Sequence, residues 1–116
     1  MQSNEYLQIR NDVQLSVLKY YKYLKRDAKY FLETKNEEWD WTYLHFLIDK
    51  RRVIRYGFGV DRNMLLGGVE IGIGPHYFGA ADFWSYEKST NFVSSVDAES
   101  IFHNLRLLDE FWQISS

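Results

Sequence analysis

The chain has 116 residues, enough for one domain spanning 1–116 and too few for two independent cores. Its 14 basic and 16 acidic side chains leave a formal net charge of −2. That argues against nucleic-acid binding, where phosphate neutralisation by a basic excess supplies most of the affinity. There is no cysteine, the stretch Met1-Gln2-Ser3-Asn4-Glu5 has no basic-then-apolar leader, and no apolar run approaches the ~20 residues that span a bilayer. A cytoplasmic, membrane-free protein is the expectation. Aromatic residues are abundant at 18 %, with 9 Tyr, 8 Phe and 4 Trp, and such side chains serve cores and binding surfaces alike.

Residues 4–34 read as helix. Val13, Val17, Tyr20 or Tyr21, Leu24, Ala28 and Phe31 recur at spacings of three and four, and no Gly or Pro interrupts them. Ser3 or Asn4 is a suitable cap, and Asn11-Asp12 is an alternative start for a second helix. Residues 37–51 carry two patterns. Trp39, Trp41 and Tyr43 alternate as in a strand, whereas Trp41, Leu44, Leu47 and Ile48 fit a helical face. Glu37, Glu38 and Asp40 at one end and Lys50, Arg51 and Arg52 at the other suit a helix dipole, with Asn36 as cap, so helix is preferred over an opening β-strand.

From residue 53 the character becomes β. Val53 to Val60 is β-branched and aromatic, Asp61-Arg62-Asn63 is a turn, and Leu66 to Gly74 is a second run that Pro75 ends. Tyr77 to Glu87 gives a third run and Asn91 to Ser95 a short fourth. The connections are too short for helical crossovers, so an antiparallel meander follows. Asp97 then caps a last helix with the stripe Ile101, Leu105, Leu108 and Phe111 or Trp112. The expected fold is α+β in two layers: N-terminal helices, an antiparallel sheet of three to four strands, and a C-terminal helix.

Chemistry-bearing patterns are sparse. His45, His76 and His103 lack the short paired spacings of metal ligands, so no metal or cofactor is expected. No Gly-x-Ser-x-Gly occurs and there is no Cys nucleophile, while Gly72-x-Gly74 runs into Pro75 rather than a helix and so fails as a phosphate loop. Bulges, turns and tight sheet packing account better for the glycines. His76, with Tyr77 and Asp82 near it in sequence, is the one place an enzyme or small-ligand site would form. Lys19, Lys22, Arg26 and Lys29, beside Tyr23 and Tyr30 and edged by Lys25, line up as a basic stripe on the long helix. A solvated face explains it more simply than nucleic acid. The acids Glu33, Glu37, Glu38 and Asp40 gather around Trp39 and Trp41, the make-up of a hot spot facing a basic partner. Glu37, Glu38, Trp39, Asp40 and Trp41 are the candidate partner-binding residues. Exposed aromatics would equally serve a homodimer.

Residues 82–112 combine an aromatic strand at Asp82-Phe83-Trp84-Ser85-Tyr86, a turn at Ser94-Ser95-Val96-Asp97-Ala98, and a helix holding Asn104-Leu105 and the ending Leu107-Leu108-x-x-Phe111. This quarter of the chain resembles the C-terminal part of small bacterial immunity proteins that accompany polymorphic toxins, including contact-dependent growth inhibition systems. The resemblance implies a cytoplasmic protein that neutralises a cognate toxin domain, often a nuclease, by binding it, without catalysis or cofactor. It carries over no contact residue, because the family has no shared binding motif.

Overall fold

The computed structural model describes residues 3–115, with side chains as far as Gln113; Met1, Gln2 and Ser116 lie outside the described residues. Helix α1 (Ser3–Tyr23) leads into five strands, β1 (Ala28–Asn36), β2 (Trp41–Ile48), β3 (Arg52–Asp61), β4 (Met64–Ile73) and β5 (His76–Gly79). Two single-turn helices follow, α2 (Ala80–Phe83) and α3 (Tyr86–Ser89), and then the long α4 (Ala98–Ser115). The strands form one antiparallel sheet in the order β1-β2-β3-β4-β5, a meander. The α+β class and its helix–sheet–helix plan are as expected, but the sheet has five strands instead of three or four, and one N-terminal helix leads it.

The extra strands come from residues that periodicity assigns to helix. Helix α1 stops at Tyr23 because Lys25 takes φ +58° and the chain closes on itself: Arg26 N–H donates to Tyr21 C=O and Lys25 N–H to Lys22 C=O, both at 2.9 Å. This is a Schellman closure with lysine at the left-handed position that glycine usually fills. Arg26 anchors it, with its guanidinium 2.7 Å from Asp49 and 2.7 Å from Asp109 and lying over the Tyr21 ring. Residues 28–36 are therefore strand, not helix.

The 37–51 segment is likewise strand, against the helix preference. Thr42, Leu44, Phe46 and Ile48 are buried on one face, and Trp41, Tyr43, His45 and Leu47 point to the other. The charges that suggested a helix dipole sit in turns at either end. Asn36 Oδ1 accepts from Glu38 N–H at 3.1 Å and Trp39 N–H at 3.4 Å, so it caps a hairpin turn. Asp49 and Lys50 form the next turn with positive φ.

The third run also shortens. Strand β5 ends at Gly79, whose N–H donates to Asp82 at 3.2 Å as α2 begins, and Ser85 caps α3. The aromatic strand that enters the resemblance is thus two helical turns. Residues 91–95 form no strand; Ser94 C=O accepts one bond from Gly67 N–H at 2.8 Å. The last helix is as expected, with Asp97 accepting from Ser100 N–H and Ile101, Leu105, Leu108 and Trp112 buried.

Both long helices lie on one face of the sheet. Val13, Val17, Tyr20 and Tyr21 of α1 and the α4 stripe meet Leu44, Phe46, Ile48, Ile54, Tyr56, Phe58, Val69 and Ile71 in a single core. Several polar side chains within this layer are paired across elements, though the buried Tyr21 hydroxyl has no hydrogen-bond partner among the described residues. Arg10 and Tyr6 of α1 hold Glu33 of β1, and Tyr20 donates to Asp109 of α4. Asn104 is fully buried; it donates to Tyr56 Oη and Val93 C=O and accepts from Val93 N–H, pinning the 91–96 loop to the core. Burial pushes the Tyr56 phenol up to about 12.

Candidate functional site

Neither α1 nor α4 covers the other face of the sheet, and there the register sets side chains in rows. Trp41 stands beside Gly59, Tyr43 beside Gly57 and then Gly68, and Leu32 beside His45, Arg55, Glu70 and Gly79. Glycine and large rings therefore alternate across neighbouring strands, and the rings lie down over the glycines. A Cβ on Gly57 would fall 2.8 Å from Tyr43 Cε1, one on Gly59 2.9 Å from Trp41 Cγ, and one on Gly72 3.0 Å from Tyr77 Cε1. Gly57, Gly59 and Gly72 are the bed of an aromatic surface, the tight sheet packing expected of the glycines. Gly74 has a different task, taking φ +60° at the head of the two-residue β4–β5 turn before Pro75.

A polar network runs through the middle of this surface. Arg55 and Glu70 are cross-strand neighbours, joined by a 2.5 Å contact from Nε to Oε1. The same guanidinium carbon lies 3.7 Å from the Tyr43 ring centre and 4.3 Å from that of Tyr77, so the cation is held between two aromatic faces. Tyr77 reaches from β5 across β4 and β3 to place its hydroxyl 2.8 Å from His45 Nδ1, while Thr34 Oγ1 lies 2.7 Å from Nε2. His45 is 3 % exposed, and burial, followed by the charge of Arg55, lowers its pKa from the ordinary histidine value. A neutral imidazole has one donor and one acceptor, and the two hydroxyls satisfy both.

Beside the network opens a cleft of about 600 Å³. Trp39, Trp41 and Tyr43 form one wall, Phe92, Val93 and Ser94 the other, and Gly57 and Gly68 the floor, with Asp61 and Glu70 supplying carboxylates. It lies where β5 is too short to cover the first half of β4.

The expected partner-binding residues come together. Glu37, Glu38, Trp39 and Asp40 form the exposed tip of the β1–β2 hairpin, Trp39 is 65 % exposed, and Trp41 follows at the start of β2 on the outer face. Glu33 leaves this cluster for the inner face and Arg10. The proposed enzyme site does not assemble. His76 and Tyr77 are successive strand residues on opposite faces, and Asp82 is taken up by Gly79 N–H. The basic stripe is dispersed as well, since its helix ends at Tyr23, Arg26 is ion-paired and Lys29 lies on β1.

Sequence reasoning passed over Tyr43, His45, Arg55 and Glu70 as a group. Their signal was the alternation 41, 43, 45 and 53, 55, which has meaning only once residues 41–48 are read as strand. Among the described residues no three His, Cys, Asp or Glu side chains gather as metal ligands, and no helix is long and apolar enough to cross a membrane. Comparison with protein-family models, curated proteins and solved structures finds no match. What the surface offers is aromatic area, fixed charges and a cleft open to solvent.

Proposed function

We propose that this chain is an immunity-type binding protein that neutralises a cognate bacterial toxin domain in the cytoplasm by direct contact, using the β1–β2 hairpin and the outer face of the sheet. The observation that carries the reading is Trp39, two-thirds exposed, set among Glu37, Glu38 and Asp40 on the lip of an aromatic cleft. A large apolar side chain left in water at a hairpin tip gains most when a partner covers it, and surrounding carboxylates speed encounter with a basic surface. Nucleases present such surfaces because they must hold phosphate. Trp39 makes little of the core, so its loss should spare the fold.

The test is binding to the product of the adjacent gene, which this reading expects to carry a toxin-like domain. Trp39→Ala should weaken the complex by about 30-fold or more, the effect of a hot-spot residue, with an unchanged melting temperature. Wild-type affinity in the variant, or no interaction with the neighbouring domain at all, would sink the proposal.

A further inference from the structure

We infer that the cleft between the β1–β2 hairpin and the uncovered half of β4 receives an arginine side chain of the protein partner, an inference that rests on the binding reading above. The charged side chains lining it are Asp61 and Glu70, both carboxylates. Glu70 gives Oε1 to Arg55, and Asp61 is exposed and forms no ion pair among the described residues, so the cleft keeps net negative charge. Its wall includes Trp39 and Trp41, whose electron-rich ring faces attract a guanidinium as those of Tyr43 and Tyr77 already attract Arg55. An anion would meet two carboxylates, and an uncharged apolar group would strip them of water without replacing it. Arginine supplies planar stacking area and paired N–H donors at once.

The floor shows that the space is real. A Cβ on Gly68 would meet nothing within 4 Å, whereas its cross-strand neighbour Gly57 lies directly beneath the Tyr43 ring. Gly68 is the place where the outer surface is left unfilled. A Cβ there would enter the cleft without displacing anything, and a β-branched side chain, suited to a strand, would extend further into it.

The experiment uses N-acetyl-arginine amide as probe, with N-acetyl-citrulline amide as its uncharged counterpart, monitored by amide NMR of the whole protein. The arginine probe should shift the amides of Gly57, Gly67 and Gly68 and the indole N–H signals of Trp39 and Trp41. The citrulline probe should bind about threefold to thirtyfold more weakly, the span of a cation–aromatic contact. Gly68→Val should abolish the arginine response with the remaining spectrum preserved. Asp61→Asn, on an exposed strand end, should weaken it and provides an independent check should the valine variant fold poorly. Equal binding of the two probes, or an arginine response that survives Gly68→Val and Asp61→Asn, overturns the inference. If the probes fail while Trp39→Ala still weakens the partner complex, the cleft assignment falls and the binding reading stands. If the arginine response appears but no partner binds, the cleft keeps its cation preference and the binding reading falls.

Discussion

On strands β2 and β3 the inner-face residues Leu44, Phe46, Ile48, Ile54, Tyr56 and Phe58 alternate with the outer-face residues Tyr43, His45, Arg55 and Gly57. The inner set meets two helices and is fully enclosed; its polar neighbours, such as Asn104, are bonded to the core itself. The outer set has no covering layer, so its rings lie flat on glycines and its charges bond sideways to one another. Both faces are ordered, by different means. The inner face is held by exclusion of water, whereas the outer face is held by ring-on-glycine contact and by the chain of Thr34, His45 and Tyr77 alongside Arg55 and Glu70. A surface organised in this way can be stiff before a partner arrives, which lowers the ordering cost of binding.

The sharpest way to break the comparison is to truncate one residue on each face of β2. Phe46→Ala removes a completely buried ring and should cost about 3–5 kcal/mol in urea unfolding. Tyr43→Ala, three positions earlier on the open face, should cost about 1–2 kcal/mol, for half-buried area and the stacked Arg55. Equal losses would mean that the outer face is as much a core as the inner one.

Glycine substitutions come next. Gly59→Ala would press its methyl group against Asp40 backbone oxygen at 2.8 Å and Trp41 Cγ at 2.9 Å, and should cost about 1–3 kcal/mol, because backbone cannot swing aside. Gly68→Ala meets open space and should be neutral or stabilising by up to about 1 kcal/mol, since alanine loses less entropy in a strand. Thermal melts of the two variants check the contrast, and a destabilised Gly68→Ala would refute the unfilled floor.

How much of this was legible depended on where the sequence carries its punctuation. Strand β3, strand β4 and α4 were readable because Asp61-Arg62-Asn63, Gly74-Pro75 and Asp97 mark their ends with residues suited to turns and caps. The end of α1 was not, because a lysine at position 25 does what a glycine normally announces, and its stabilising partners Asp49 and Asp109 are remote in sequence. Strand β2 was misread because charge at both ends of an apolar segment describes two exposed turns as well as one helix dipole. The hairpin-tip acids and tryptophans were visible as a sequence neighbourhood and needed only a turn to cluster. The His45 network was not visible, because with Arg55 and Glu70 it draws on all five strands and its histidine has no partner nearby in the chain.

That histidine gives the most delicate comparison between the faces, since a group on an open face would ordinarily titrate freely. His45 is enclosed by Tyr77, Thr34 and Phe31, and the charge that acts on it is that of Arg55. Burial first and Arg55 second lower its pKa below the unfolded value of about 6.5. The sign follows directly. Below about pH 6.5 the unfolded chain takes up a proton at this site that the folded chain refuses, so stability falls with pH from there down to the lowered folded pKa, and the loss is complete below it. His45→Gln keeps hydrogen-bonding groups for both hydroxyls and removes the titration. Denaturant midpoints measured from pH 7 to pH 5 should therefore decline less steeply in the glutamine variant, with the two curves differing most at the acid end. Parallel curves would show that His45 is as free to protonate as an exposed histidine, and the outer face would then lose its claim to a packed interior of its own.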